Sequence, residues 1–315
     1  MFIKRNEEYG DAFKSYLKYG YGGLDSKERR SLSTDQATKG GAFISETFSD
    51  VFYSALAGNN RLREFCKVIK SPNKIKFPYT TANPAIELVA ESGASDNSWS
   101  AVQPTSTYHE TAGFNIGCRV DASIEMVMDY PDIESYLAES AGMALATKEE
   151  NYCFNGTGSG QPKGITVETV ANTTSSSAVD MDQVLQSMAV DGFTDYNNPR
   201  DLIIFINPLS LAKNAIATNG TDETTKVDPS NTYDAYISYL RAIGTSQLGK
   251  SGTSGAFWAC VGNWKRAFVI FDIGETVIKR DTESQAANGI VNFYVTKRFD
   301  CKLVNANAIT LCKRS

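Results

Sequence analysis

Residues Tyr130 to Ile165, YPDIESYLAESAGMALATKEENYCFNGTGSGQPKGI, constrain the fold of this chain more than any other stretch. Pro131 suits a first helical turn, where its missing N–H would have no intrahelical partner. Asp132 and Glu134 place negative charge at the positive end of the helix dipole. Ile133, Leu137, Ala141, Ala144 and Leu145 recur at three- and four-residue steps and form one apolar stripe. Ala138, Gly142 and Ala146 beside it permit close approach of whatever element packs there. Asn155-Gly156 closes the run as a C-cap. A continuous helix from Pro131 to Phe154 would span roughly 36 Å, the length of a spine rather than of an ordinary core helix.

What surrounds the spine must bury its stripe, and the composition allows this. The 315 residues are 42% hydrophobic and 21% charged, enough apolar material for one large or two modest cores. A formal net charge of −5 argues against a bulk electrostatic grip on nucleic acid, which needs concentrated Lys and Arg. No apolar run approaches the length of a membrane span, and the N-terminus lacks the apolar core of a signal peptide. The six cysteines, at 66, 118, 153, 260, 301 and 312, form no CxxC pair and sit mostly in apolar segments, so they read as buried thiols of a reducing compartment. With His109 as the one histidine, there is little material for a metal site or a Ser-His-Asp triad.

Two stretches read as arms. In residues 1–39, Glu7 to Tyr19 predicts a short amphipathic helix through Phe13, Tyr16 and Leu17, broken by Gly20, Gly22 and Gly23. Lys27 to Lys39 is polar, with Leu32 its one apolar residue, and cannot bury enough surface to hold itself still. A neighbouring subunit is the expected anchor. After Gly40-Gly41-Ala42-Phe43-Ile44 and a predicted helix over Phe48 to Leu56, the chain alternates. Ile75, Phe77 and Tyr79 share one strand face, as do Ile86, Leu88 and Ala90; Tyr108 to Val120 alternates for thirteen positions. Between the latter two lies a polar tip, Glu91 to Gln103, with Trp99 as its one large apolar group. This is a long hairpin, marginal alone in water, that must lie on something else.

Beyond Ser175-Ser176-Ser177 the pattern mixes both periods. Helices are predicted over Val179–Val190, Pro208–Thr218 and Thr232–Ile243, the last through Tyr233, Tyr236, Ile237, Leu240 and Ile243. Strands are predicted over Leu202–Ile206, Ala256–Val261, Ala267–Ile273 and Thr276–Ile278. Ile290 to Val304 is too long for a typical strand, and Ala308 to Cys312 closes the chain. The mixture suggests a compact α+β domain.

Three motifs invite a chemical reading. Gly244-Thr-Ser-Gln-Leu-Gly249-Lys250-Ser251 satisfies the G-x-x-x-x-G-K-S pattern, and Phe268 to Asp272 looks like an apolar strand ending in a carboxylate that could hold Mg²⁺. That loop works only between a strand and a helix whose amides cradle phosphate, whereas here a helix-like segment precedes it and a strand follows. Gly156-Thr-Gly158-Ser-Gly160 resembles a dinucleotide loop but follows a helix and lacks the third glycine spacing. His109 and Glu110 are adjacent on a strand and point to opposite faces, so they make a poor base and orienting carboxylate. No catalytic, cofactor-binding or metal-binding constellation results. Two arms, a spine and a compact domain point instead towards assembly.

The chain resembles the HK97-fold major capsid proteins of tailed bacteriophages, nearly end to end. The carriers are Glu8-Tyr9-Gly10-Asp11-Ala12-Phe13-Lys14-Ser15-Tyr16-Leu17, Leu32-Ser33-Thr34 and Gly40-Gly41-Ala42-Phe43-Ile44. The most specific is the spine with its exit, from Pro131-Asp132-Ile133-Glu134 through Phe154-Asn155-Gly156 to Gln161-Pro162-Lys163-Gly164-Ile165. Ile206-Asn207-Pro208, Val261-Gly262-Asn263-Trp264 and Arg298-Phe299-Asp300 complete the set. The family often has proline directly after the glycine-glycine-apolar start, where this chain has Ser45-Glu46.

The resemblance implies an α+β HK97-like capsid fold in this order: an N-terminal arm at 1–39, the start of a P-domain at 40–67, an E-loop hairpin at 68–118, the P-domain with its spine helix at 119–175, an A-domain at 176–275, and closing strands of both domains at 276–315. It implies pentamers and hexamers tiling an icosahedral virion shell around double-stranded DNA that the subunit contacts weakly if at all, assembled in the host cytoplasm without a membrane. Scaffold, portal and decoration proteins are further partners, and Trp99, Tyr108, Phe114, Phe13 and Leu17 are the expected assembly residues. An encapsulin-type compartment is the alternative within the fold; a P-loop nucleotide-binding enzyme on residues 244–251 is the alternative outside it. Some shells of the family join subunits by a Lys–Asn isopeptide bond, which needs an amine on the hairpin and a nearby carboxylate. Between Lys76 and Lys148 there is no lysine, and Ile290 to Lys297 holds no Asp or Glu, so the shell is expected to be non-covalent.

Overall fold

The computed structural model describes residues 2–32, 42–43, 45–80, 106–168, 172–176, 201–210, 235–237, 240–249 and 253–314. In chain order the elements are α1 (Phe2–Tyr19), α2 (Ser26–Leu32), β1 (Ala42–Phe43), α3 (Glu46–Asn59), α4 (Leu62–Phe65), β2 (Lys67–Ser71), β3 (Lys76–Thr80) and β4 (Ser106–Glu110). Then come β5 (Phe114–Ser123), α5 (Ile124–Asp129), α6 (Ile133–Asn155), β6 (Asn172–Ser176), β7 (Ile203–Ile206), β8 (Ala235–Ile237) and β9 (Leu240–Gly244). The chain ends with β10 (Phe257–Gly262), α7 (Trp264–Ala267), β11 (Phe268–Asp281), β12 (Ile290–Leu303) and β13 (Ile309–Arg314). They fall into two compact units, the first comprising Met1–Asn73, Ala112–Val167 and Ile270–Cys301, the second Lys74–Thr111, Glu168–Val269 and Lys302–Ser315.

In the first unit the spine is α6, 23 residues long, and its stripe is buried from Ile133 and Leu137 through Ala141 and Leu145 to Cys153. Its small residues do what their size allows. A Cβ on Gly142 would lie 2.8 Å from both the Ala55 Cβ and the Phe52 carbonyl oxygen, so α3 packs on the spine closer than any larger residue permits. Ser45 begins α3, its hydroxyl accepting from the Phe48 amide at 3.0 Å. Helices and spine cover a five-stranded sheet ordered β1-β11-β12-β5, with β2 on β11. In β12 the buried positions Val291, Phe293, Val295, Lys297, Phe299 and Cys301 share one face, and β5 pairs with it antiparallel from Ile290↔Ser123 to Phe299↔Phe114.

The exit of the spine is a compact knot of backbone. Gly156 is extended, at φ −60°, so it is not a left-handed cap; its missing Cβ would lie 2.2 Å from the Pro162 oxygen. The Gly164 amide donates to Gly156 O at 2.8 Å, and the Ile165 and Thr166 amides donate to the orphan carbonyls of Cys153 and Phe154 at 2.9 and 3.0 Å. The loop is therefore the cap of the spine, and Gly158 and Gly160 turn it at φ 82° and 67°.

In the second unit a six-stranded sheet runs β6-β13-β10-β7-β9-β8, with β13–β6 and β7–β9 parallel and the other pairs antiparallel. β3 and β4 form a separate antiparallel pair, Lys76↔Glu110 to Thr80↔Ser106. Two of the short motifs singled out in the sequence have local tasks here. The Asn207 side-chain amide donates to Leu248 O at 2.7 Å. Gly262 lets Ala308 O approach to 2.4 Å of where a Cβ would stand, and Asn263 caps α7 at the Arg266 amide. Trp264 meets Phe205 edge-on at 4.6 Å and donates its indole N–H to Ile203 O at 3.0 Å.

Several expectations are corrected. In place of the helix expected over Thr232–Ile243, the described residues there, 235–237 and 240–243, are strand, the second strand running on to 244. Tyr, Ile and Leu at helical spacing there are also good strand formers, and sheet pairing decides between the two readings. Ile290–Leu303 is a single strand of 14 residues, and the two strands expected within 267–278 are one, β11. The run from Tyr108 to Val120 is interrupted between β4 and β5, where Gly113 takes φ 68°. The N-terminal helix starts at Phe2, and Ser26–Leu32 is helical, with Leu24 and Leu32 buried and Ser15 Oγ donating to Glu28 at 2.8 Å. The helix expected over Val179–Val190, the strand at 86–90 and the polar tip lie outside the described residues, as does the helix expected over Pro208–Thr218 except for residues 208–210, which are helical.

Candidate functional site

Four ionised side chains from four elements of the first unit meet in its interior. Arg63 of α4 donates through Nε and Nη2 to both oxygens of Glu149 on the spine, at 2.6 and 3.0 Å. Its Nη1 and Nη2 reach both oxygens of Asp272 on β11, at 2.9 and 2.7 Å. Lys297 Nζ on β12 bridges the same two carboxylates, 3.0 Å from Glu149 Oε2 and 2.6 Å from Asp272 Oδ1. Asn60 closes the group, donating to Glu149 Oε1 at 3.1 Å while its own oxygen accepts from the Leu62 amide. Two cations face two anions, none more than 6% exposed.

Burial alone would push both carboxyls up and the guanidinium down. Mutual attraction wins for each. Beside Arg63 and Lys297, Asp272 is held at about 2 and Glu149 below its usual range, while Arg63 is raised by its two carboxylates. Such a cluster is a poor catalyst, because its donors and acceptors are taken up by one another. It is a strong clamp, since removing one member strands an opposite charge in a dry interior.

A further buried carboxylate links α1 and α3 to the spine. Glu134, in the first turn of α6, accepts from the Ser45 hydroxyl through a short hydrogen bond, and Lys14 of α1 stands 3.9 Å from its other oxygen. Burial pushes its pKa up, against the opposing effects of Ser45 and Lys14. Around it α1 is fastened to its own subunit. Phe13 meets Phe48 at 5.8 Å, and Arg280 Nη2 donates to Lys18 O at 3.0 Å, a cation on the last turn of the helix. Burial and Glu275 push Tyr9 up to about 12.

The predicted assembly residues are scattered by the structure. Phe13 and Leu17 are fully buried beneath α1, so they belong to the subunit's own fold and are not offered to a neighbour. Phe114 is half-buried at the end of β5, opposite Phe299, and Trp99 lies outside the described residues. Tyr108 on β4 is 61% exposed, with Lys76 5.2 Å from its ring centre and paired to Glu110 at 3.8 Å. His109 stands opposite Phe77. The G-x-x-x-x-G-K-S stretch follows a strand, β9, rather than the expected helix, but its amides at Thr245 and Gly249 donate to Ile206 O and Phe257 O, both at 2.9 Å. The chain proceeds to β10 with no described helix between, Lys250 and Ser251 lie outside the described residues, and Asp272 is committed to Arg63 and Lys297. Among the described residues no cluster of His, Cys, Asp and Glu could hold a metal, and no helix is long and apolar enough to cross a membrane.

The charge cluster had a signal in the sequence that pattern reading by residue type passes over. Glu149 falls four residues after Leu145 and four before Cys153, on the buried stripe itself, and Lys297 falls between Val295 and Phe299 on the buried face of β12. Charged residues at core positions of both periods announce a pair.

Comparison with known proteins follows the same lines. The model of the phage capsid family matches residues 40–313. No curated protein matches the chain. Among solved structures, the capsid of a native GTA particle is 15% identical at a TM-score of 0.62, over 82% of this chain and 90% of that one. A Gordonia phage Cozz protein is 17% identical at 0.53, over 82% and 87%. The SrpI encapsulin of Synechococcus elongatus is 8% identical at 0.54, over 81% and 86%.

Proposed function

This chain belongs to the phage capsid family, and on that premise we propose how it acts: as the major capsid protein it forms the shell, tiling it as pentamers and hexamers around packaged double-stranded DNA. The observation that carries the reading is the family match over residues 40–313, which includes the spine, its exit and the closing strands. The fold is HK97-like, and its likeness to the capsid of a GTA particle supports oligomeric assembly. An encapsulin shares the fold, but the family model favours the phage shell. In this reading residues 1–39 are the arm, 68–118 the E-loop, 40–67 and 119–175 the P-domain, 176–275 the A-domain, and 276–315 the closing strands. Assembly takes place in the host cytoplasm, with scaffold, portal and decoration proteins as partners and DNA contacted weakly by an acidic subunit.

Catalysis has no part in the reading. The strongest cluster of ionisable groups is closed on itself, and the chain carries no lysine between Lys76 and Lys148 to supply a cross-linking amine there. Boiled, reduced particles should therefore run on a denaturing gel as one band near 34.4 kDa. A ladder of pentamers and hexamers resisting heat and thiol would show that the shell is covalent. Deleting residues 82–105 should leave a folded subunit, by circular dichroism, that sediments without forming shells; normal shells from that variant would remove the hairpin from the assembly.

A further inference from the structure

Exposed large apolar side chains are not spread evenly over the described surface. Nine are exposed, and five of them, Ile124, Met128, Tyr130, Tyr136 and Met143, fall within one stretch on α5 and the first half of α6, each 39–44% exposed. The rings of Tyr130 and Tyr136 meet edge-on at 6.4 Å, so the two helices share one strip. Four exposed carboxylates rim it, Glu125, Asp129, Asp132 and Glu139, and no Lys or Arg occurs between Arg119 and Lys148. None of the four is in an ion pair among the described residues. A solvated helix face ordinarily mixes both signs. Lys18 of α1, its Nζ donating to Met128 O at 3.4 Å, is a cation at the edge of the strip, but an apolar centre with a mainly acidic rim is the anatomy of an interface.

Charge decides what fits there. Two such strips facing one another would set carboxylate against carboxylate, so a self-paired contact is disfavoured. The same unit carries the complementary surface on α2, where Lys27, Arg29 and Arg30 are exposed. The one acid on that helix, Glu28, is occupied by Ser15 Oγ and by the Asp25 amide, both at 2.8 Å. Aromatic surface accompanies the cations, with Tyr21 5.5 Å beneath the Arg29 guanidinium and Tyr19 exposed nearby in the chain.

We propose that the acidic, apolar strip of α5 and α6 on one subunit receives the basic α2 of a second copy of this chain. The contact joins two different patches, so it is heterologous, the kind that closes into rings when the rotation between copies allows. The inference rests on the shell reading, and its test separates the two.

Reversing α2 by Lys27→Glu, Arg29→Glu and Arg30→Glu, or the strip by Glu125→Lys, Asp129→Lys and Glu139→Lys, should lower the assembled fraction on the order of tenfold at low salt. Both sets in one chain restore attraction and should restore assembly. Normal assembly by either single set, or failure of the combined chain, overturns the contact while wild-type shells leave the shell reading standing. Wild type that never exceeds a monomer sinks the shell reading itself. Carbodiimide treatment of wild-type particles built from mixed heavy- and light-isotope subunits decides the matter should a variant not fold. An inter-subunit link from Lys27 to a carboxylate of the strip is expected; links elsewhere with none of these would refute the contact.

Discussion

In the unit built on the spine helix, four ionised side chains meet with 6% exposure or less, and in the unit built on the six-stranded sheet no charged side chain is buried among the described residues. The second unit holds its register through backbone: β13, β10, β7 and β9 pair in ladders that allow few alternatives, and Trp258, Phe205 and Trp264 fill the space beside them. Where helices lie on a sheet, as α3 and α6 do, no ladder joins the two layers. Apolar contact alone is non-directional. The cluster of Arg63, Glu149, Asp272 and Lys297 supplies the missing direction, since it is satisfied only when α4, α6, β11 and β12 stand in one arrangement. That specificity role is a hypothesis, because buried ion pairs often contribute little net stability over apolar replacements.

The largest effects set the two strategies side by side. Arg63→Met leaves two carboxylates facing one ammonium and should destabilise the subunit by about 3–5 kcal/mol at neutral pH. Phe205→Ala opens a cavity against Trp264 and should cost about 3–5 kcal/mol. Urea unfolding separates them: at pH 4 the Arg63→Met penalty shrinks as the stranded carboxyls take up protons, and the Phe205→Ala penalty does not. Equal behaviour of both variants at both pH values would erase the distinction.

The next effect comes from acid. Asp272 titrates at about 2 in the fold against an ordinary 3.8, so its folded-state pKa is depressed. A depressed carboxyl contributes stability that is full above pH 4 and lost as pH falls towards 2, here about 2 kcal/mol, with Glu149 acting in the same direction. Asp272→Asn should flatten the stability profile in that window. An unchanged acid limb in this variant would mean that other groups govern it.

Ser45→Ala is a smaller test, since it removes the cap of α3 and the donor to Glu134 together; a loss of about 1 kcal/mol is expected in thermal unfolding. The smallest effect has the opposite sign. Glu134 titrates above its ordinary 4.5, so its burial favours the fold at low pH and that contribution is lost as pH rises. Glu134→Gln keeps an acceptor for Ser45 and gives up only a half-exposed partner, Lys14, so it should raise the unfolding midpoint at pH 7 and match wild type in acid. A lowered midpoint at pH 7 would show the Lys14 pair to be worth more than its exposure suggests.

These two strategies also explain what could be read from the chain. The spine was legible because its stripe keeps the 3.6-residue period for its full length, and its exit because only glycine tolerates backbone approach at Gly156 and Gly164. The charge cluster was legible only in part: Glu149 and Lys297 stand at core positions, but members as far apart as Arg63 and Lys297 do not say which partner each meets. The second unit suffered from the other ambiguity. Tyr236, Ile237, Leu240 and Ile243 satisfy a helical template by spacing, and only the pairing of β9 with β7 and of β8 with β9 shows them to be strand. Phe13 and Leu17 were rightly apolar, but the sequence does not say that they are buried within the subunit, where Phe13 meets Phe48. Tyr108, and the strip on α5 and α6, are among the large apolar groups that the subunit leaves exposed.

The central claim, that this subunit's work is to build a shell, is tested most directly by electron microscopy of the purified, untreated protein with two-dimensional class averaging. Closed particles of uniform size with resolvable five- and six-fold capsomers are the predicted result. A monodisperse population of particles no larger than one 34.4 kDa chain, at every concentration and salt tried, would contradict it.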